Sequence, residues 1–213
     1  TAALFLDLVH EYYAADSHRL DWIKRLQNNR LKQKKVLNNG DSGAAVDATS
    51  QASDLMDMLQ TLRTRFWDTH RGRVEYKALK QSREYRRYQG MATGLRHFDL
   101  ASLSSREEKL AFWINLYNAI VIHGIVELSI TSSVKEIPDF FSNIGYRIGD
   151  FVFSPDAMEH GILRANARPP YRIFPVIGRK DPRRRFVLDR IDPRIHFALV
   201  CGSRSCAPIR FYE

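Results

Sequence analysis

Between Leu110 and Leu128 the chain reads LAFWINLYNAIVIHGIVEL, apolar almost throughout, with amide, imidazole or carboxylate side chains only at Asn115, Asn118, His123 and Glu127. Just before it, Ser105-Arg106-Glu107-Glu108 is a capping-box pattern, which predicts a helix from about Arg106 to about His123 or beyond. A helix that is hydrophobic nearly all round belongs at the centre of a domain. At about 100° per residue, Asn115, Asn118, Ala119 and Ile122 share one sector, with His123 at its edge. Upstream, LFLDLVHEYYAADSHRLDWIKRL reads as helix with an apolar stripe at Leu20, Ile23 and Leu26. KQKKVLNNGDSGAAVDATSQAS then loses periodicity and large apolar groups, the composition of a flexible, disordered linker. Ser53 next caps an amphipathic helix that aligns Leu55, Leu59, Leu62 and Phe66.

Downstream the period changes. YRIGDFVF alternates around Gly149-Asp150 and predicts a tight hairpin with Tyr146, Ile148, Phe151 and Phe153 on its arms. In SPDAMEHGILRAN, Ser154 fits an N-cap and Pro155 the first helical position, so a short helix follows. Helical spacing puts His160 and Arg164 on one side of it, where a carboxylate such as Asp192 could pair with them. FVLDRI and RIHFALVC read as strands, the second too apolar for an edge. The sum is an α+β domain: a buried central helix on a small, mainly antiparallel sheet, behind a helical N-terminal extension. The expected boundaries are an extension over 1–30, a linker over 31–53 and the domain over 54–213, with its core motifs in 95–213.

Composition narrows this only a little. A chain of 213 residues can bury a core without metals or disulfides. Two cysteines do not make a secreted disulfide framework, which favours a reducing, cytoplasmic setting. The first residues lack the basic start and small-residue cleavage site of a signal peptide. The long apolar run carries too many polar side chains for a transmembrane segment. The net charge of +9 favours acidic partners, and the cations crowd GRKDPRRRFVLDRIDPR, around Arg183, Arg184 and Arg185. A loop of this kind is a solvated face or a docking surface for protein or anionic lipid. A nucleic-acid surface would interleave exposed aromatics or Gly-rich motifs, which are absent here.

Three stretches, SLSSREEKLAFWINLYNAIVIHG, YRIGDFVFSPDAMEHGILRAN and DPRIHFALVCGSRSCAPIRFY, resemble the family called domain of unknown function 547, in order and spacing, over roughly residues 95 to 213. Members of that family can follow glutaredoxin-like and DEP modules, or a leucine-zipper segment in plants. This chain has neither a glutaredoxin Cys-x-x-Cys nor heptads, and it stops at RFYE, where relatives usually continue into another helix. The family has no assigned chemistry, so the resemblance transfers positions: Asn115, Asn118 and His123; His160, Arg164 and Asn166; His196, Cys201, Cys206 and Pro208.

Chemistry must come from the residue types. A cysteine is nucleophilic as thiolate, which needs a helix N-terminus, a cation or a histidine beside it. Around CGSRSC, Gly202 allows a sharp turn, Arg204 supplies charge, and Cys206 precedes a candidate helical turn. With His160 or His123 as base and Asn118 as orienter, the parts are those of a thiol-dependent hydrolase or acyl-transfer site, Cys206 ahead of Cys201. In a strand His196 would face away from Cys201. The alternative is a non-catalytic interaction module, in which the polar residues, Asn115, Arg164, Asn166 and His196 among them, tie the core together and the basic loop binds a protein or an acidic ligand. Four residues between the cysteines and scattered histidines fit no standard zinc spacing, so no metal or cofactor is expected.

Overall fold

The computed structural model describes residues 35–40, 48–68, 73–131, 133–169 and 172–199. In chain order these form β1 (Lys35–Val36), α1 (Ala48–Arg65), β2 (Trp67–Asp68), β3 (Arg73–Val74), α2 (Tyr76–Gln81), α3 (Arg83–Gly94) and α4 (Arg106–Glu127). There follow α5 (Phe140–Asn143), β4 (Ile144–Ile148), β5 (Phe151–Phe153), a π-helix over Ala157–Leu163 and α6 (Ile195–Ala198). The expected extension over 1–30 and the cysteine loop lie outside the described residues.

The predicted capping box is formed: Glu108 N donates to Ser105 Oγ at 3.1 Å and Ser105 N to Glu108 Oε2 at 2.9 Å. Two orphan donors of α4 are satisfied in this way, fixing where the helix starts. Its apolar character on all sides is matched by burial on all sides, from Phe112 to Val126, because α1, α2, β4 and the π-helix pack around it. By length and composition α4 could cross a membrane, but it serves as the core helix of this domain.

The hairpin also forms as expected, with Tyr146 opposite Phe153 and Ile148 opposite Phe151. Gly149 takes φ +52° at the turn, a left-handed conformation that glycine adopts without a Cβ penalty. Tyr146, Ile148 and Phe153 are fully buried against α4's side of the sheet. On the other edge β1 pairs with β4 in parallel, Lys35 opposite Ile144, so the three-stranded sheet is mixed; β4–β5 and β2–β3 are antiparallel, and the fold is the expected α+β domain with a small, mainly antiparallel sheet.

Two local expectations fail for physical reasons. The tract expected to be a disordered linker supplies β1 and the start of α1. Within it Asn38, 1% exposed, donates to Ala92 O (2.9 Å) and Arg147 O (2.8 Å) and accepts from Arg147 N (2.8 Å). One amide side chain thus ties the tract to α3 and β4, beside Leu37, which packs against the core. The strands expected at FVLDRI and RIHFALVC are absent from residues 187–199. Instead Asp192 Oδ1 accepts from Arg194 N at 3.1 Å, and Ile195 N donates to Asp192 O. This Asx turn, with Pro193 inside it, bends the chain into the short α6.

Candidate functional site

Ser154 opens the second motif as its sequence predicts: Ala157 N donates to its Oγ at 3.3 Å, with Pro155 in the first turn. The ladder then widens by one residue, and Arg164 N donates to Glu159 O at 2.9 Å, an i to i−5 bond. Such π-turns are rare and concentrate at functional sites. The wider turn changes which side chains meet. His160 and Arg164 do not pair; Arg164 instead clamps Glu159 Oε1, from Nε at 3.1 Å and Nη2 at 2.9 Å. Asp192, the carboxylate expected to serve His160 and Arg164, is bound by Arg194 at 2.7 Å and by Arg106 at 3.4 Å.

Beyond Glu159, the Arg164 guanidinium rests against the His196 ring, Nη1 3.2 Å from Nε2 and Nη2 3.1 Å from Nδ1. At the other end of α6, Asn118 Nδ2 donates to Ala198 O at 3.0 Å, in a fully buried position. The three separated motifs therefore meet at α6: the central helix through Asn118, the π-helix through Arg164, and the last described residues before Cys201. His160 Nε2 lies 4.0 Å from Glu159 Oε1, and Asp156, one turn back, is paired with Arg172 at 2.7 Å. Burial pushes the His160 pKa down, with Arg164 and Arg172 adding to the effect and Glu159 and Asp156 opposing it. His196 is lowered too, by burial and then by Arg164. Both rings are therefore predominantly neutral at pH 7, the state in which imidazole accepts a proton.

His123 belongs to another network. Its Nδ1 lies 2.6 Å from the Tyr146 hydroxyl, which lies 2.6 Å from the Tyr88 hydroxyl, which in turn reaches Ala119 O at 3.3 Å. The ring is wholly enclosed, edge-on to Tyr85, Tyr88 and Tyr146. Desolvation, helped by the charge of Lys35, drives its pKa down to about 3. Nε2 has no hydrogen-bond partner among the described residues and stands 3.9 Å from Glu127 Oε1. Glu127 itself accepts from Tyr85 Oη at 2.9 Å and Gln89 Nε2 at 3.0 Å.

A family model described as a protein of unknown function, DUF547, matches residues 100–213. The chain belongs to the DUF547 family. No curated protein and no solved structure matches it. The DUF547 match takes in α4, the hairpin, the π-helix and α6, whereas Tyr85 and Tyr88, which enclose His123, come from α3 ahead of it.

Within the DUF547 region the remaining candidates separate. Asn115 is half-buried on α4. Asn166 binds Ile177 with both ends of its amide, Nδ2 to Ile177 O at 2.8 Å and Ile177 N to Oδ1 at 3.0 Å. Arg183 is held by Asp181 at 2.6 Å and by Val152 O at 2.8 Å, and Arg185 lies over the Phe151 and Phe186 rings. Arg184 is exposed. Cys201, Arg204, Cys206 and Pro208 lie outside the described residues, and among the described residues no cluster of three or more His, Cys, Asp or Glu could hold a metal. A cleft of about 600 Å³, lined by Phe98, Trp113, Ile148, Phe151, Arg185 and Phe186 among others, sits at the hairpin end and shares no lining residue with the Glu159 cluster. Glu159 escaped the sequence reading, because an α-helical period pairs Arg164 with His160 and only a π-turn pairs it with Glu159.

Proposed function

We propose that this chain is a thiol-dependent hydrolase or acyl-transfer enzyme, with Cys206 or Cys201 as nucleophile, His160 as general base and Asn118 as a positioning residue. The observation that carries the reading is the tethering of α6 by Asn118 and by Arg164, whose partner Glu159 stands 4.0 Å from His160 Nε2. Ala198 precedes Cys201 by three residues, a reach of roughly 11 Å at full extension. The neutral state of His160 also supports it, since a base must be unprotonated to accept a thiol proton. In the reaction the thiol proton passes to His160 and the sulfur bonds to an acyl carbon. Collapse of the tetrahedral adduct expels the leaving group, which takes the proton from the imidazolium. Water or another nucleophile then attacks the thioester and releases the thiol.

Alkylation by iodoacetamide across pH, in the native chain and in Cys201→Ala, Cys206→Ala and His160→Gln, tests this. One thiol should react with an inflection well below 8.5, and His160→Gln should move that inflection upward. If both thiols stay inert until denaturation, the reading fails.

A further inference from the structure

The segment after the π-helix holds two large apolar side chains out of the fold. Ile173 is 66% and Phe174 74% exposed, next to each other and followed by Pro175. This is not the splay of a loose loop, because both flanks are fixed. On one side Arg172 Nη2 donates to Asp156 Oδ2 at 2.7 Å. On the other, Ile177 is bonded by both its N and O to Asn166 and is 1% exposed. Ile177 packs so closely on the π-helix that a Cβ at Gly161 would come within 2.8 Å of it. A rigid base thus presents an apolar tip.

The loop that follows leaves the π-helix at Ile177, beside Gly161, and returns to it at Leu188, whose N donates to Ile162 O, and its charge is one-sided. Between residues 172 and 190 the carboxylates are Asp181 and Asp189, and both are engaged, with Arg183 at 2.6 Å and Arg106 at 3.4 Å. Arg179, Lys180, Arg184 and Arg190 are exposed and have no carboxylate partner among the described residues. The two features ask different things of a partner. The tip needs a medium that it can enter, and the cations need anionic groups. An anionic bilayer interface supplies both without a matching shape, whereas a folded acidic protein would need a pocket for the tip and carboxylates in register.

We infer that the Ile173–Phe174 tip and the cations Arg179, Lys180, Arg184 and Arg190 form a peripheral docking surface for membranes rich in anionic lipid. This surface is independent of the thiol chemistry and stands if that reading fails. The test is co-sedimentation of the whole chain with phosphatidylcholine vesicles, with and without phosphatidylserine. Binding should require phosphatidylserine and weaken with salt. Phe174→Asp should lower the partition coefficient at least tenfold, and Arg179→Glu with Lys180→Glu should do the same, at about fivefold or more per cation. Both sites are exposed, so unchanged circular dichroism melts should accompany the losses. Equal binding to neutral and anionic vesicles overturns the inference, as does full binding by Phe174→Asp. So does tighter binding to soluble polyglutamate that ignores Phe174, which would put an acidic protein in place of the membrane.

Discussion

The Tyr146 hydroxyl sits midway in a buried relay, 2.6 Å from His123 Nδ1 and 2.6 Å from the Tyr88 hydroxyl. Counting hydrogens gives one assignment in which every contact has a donor and an acceptor: His123 Nδ1–H to Tyr146, Tyr146 to Tyr88, and Tyr88 to Ala119 O. A neutral ring with its proton on Nδ1 follows, and Nε2 keeps a lone pair facing the side of Glu127.

That ring makes stability depend on pH in a stated direction. Its folded pKa of about 3 lies below the value of about 6.5 in an unfolded chain. The unfolded state therefore takes up the proton first, and stability rises with pH where it binds more protons. The contribution is complete above about pH 6.5 and is lost as pH falls toward 3, on the order of 5 kcal/mol across the whole window. Urea unfolding from pH 7 to 4.5 should show this decline, and His123→Gln should flatten it. An NMR titration in which the His123 ring protonates in the native state near pH 6 would contradict the assignment.

Tyr146→Phe removes the middle of the relay and leaves His123 Nδ1–H without an acceptor in a closed core. A buried polar group stripped of its partner costs about 1–3 kcal/mol. Tyr88→Phe strips the acceptor from the buried Tyr146 O–H and the donor from Ala119 O, so it should cost a similar amount. A Tyr88→Phe variant as stable as the native chain in chemical denaturation would count against the relay.

The elements that could be read from the sequence are those whose cause is local. Ser105 and Glu108 satisfy each other's backbone, Gly149 permits the hairpin turn, and Ser154-Pro155 starts a helix, all within a few residues. The elements that could not be read are set by distant partners. Nothing near Asn38 announces that it will bond Ala92 and Arg147, across 54 and 109 residues. The π-turn uses residues that an α-helix accepts equally well, and its register is visible only once Arg164 is seen between Glu159 and His196. For α6 the local signal was present in Asp192-Pro193, turn chemistry that the apolar run after it outweighed. Among candidate site residues, the contacts of Asn118 with Ala198 and of Arg164 with His196 cross 80 and 32 residues, and the enclosure of His123 depends on tyrosines from a helix and a strand far apart in the chain, so neither has a local signal.

Glu159→Gln probes the clamp. Glu159 raises the pKa of both His160 and His196, against burial and Arg164, which lower them. Removing its charge should move both ring titrations further down, as read from their NMR shifts against pH. Arg164→Ala should move them up, since the opposing cation is gone. If the two substitutions shift His196 in the same direction, charge is not what sets its pKa.

Asn118→Leu keeps the branching of the side chain at Cγ, at a larger volume, and removes the donor to Ala198 O, a bond 3.0 Å long in the core. The orphaned carbonyl should cost about 1–3 kcal/mol, and the loss should be concentrated at α6, whose other tether is the more exposed contact of Arg164 with His196. Hydrogen exchange is the direct reading, because Leu199 N donates to Ile195 O and reports on the intact turn. Its protection should fall in Asn118→Leu while the amides of α4 keep theirs. Were Leu199 to stay protected, Asn118 would be a passive core residue, and its part in holding the segment before Cys201 would be withdrawn.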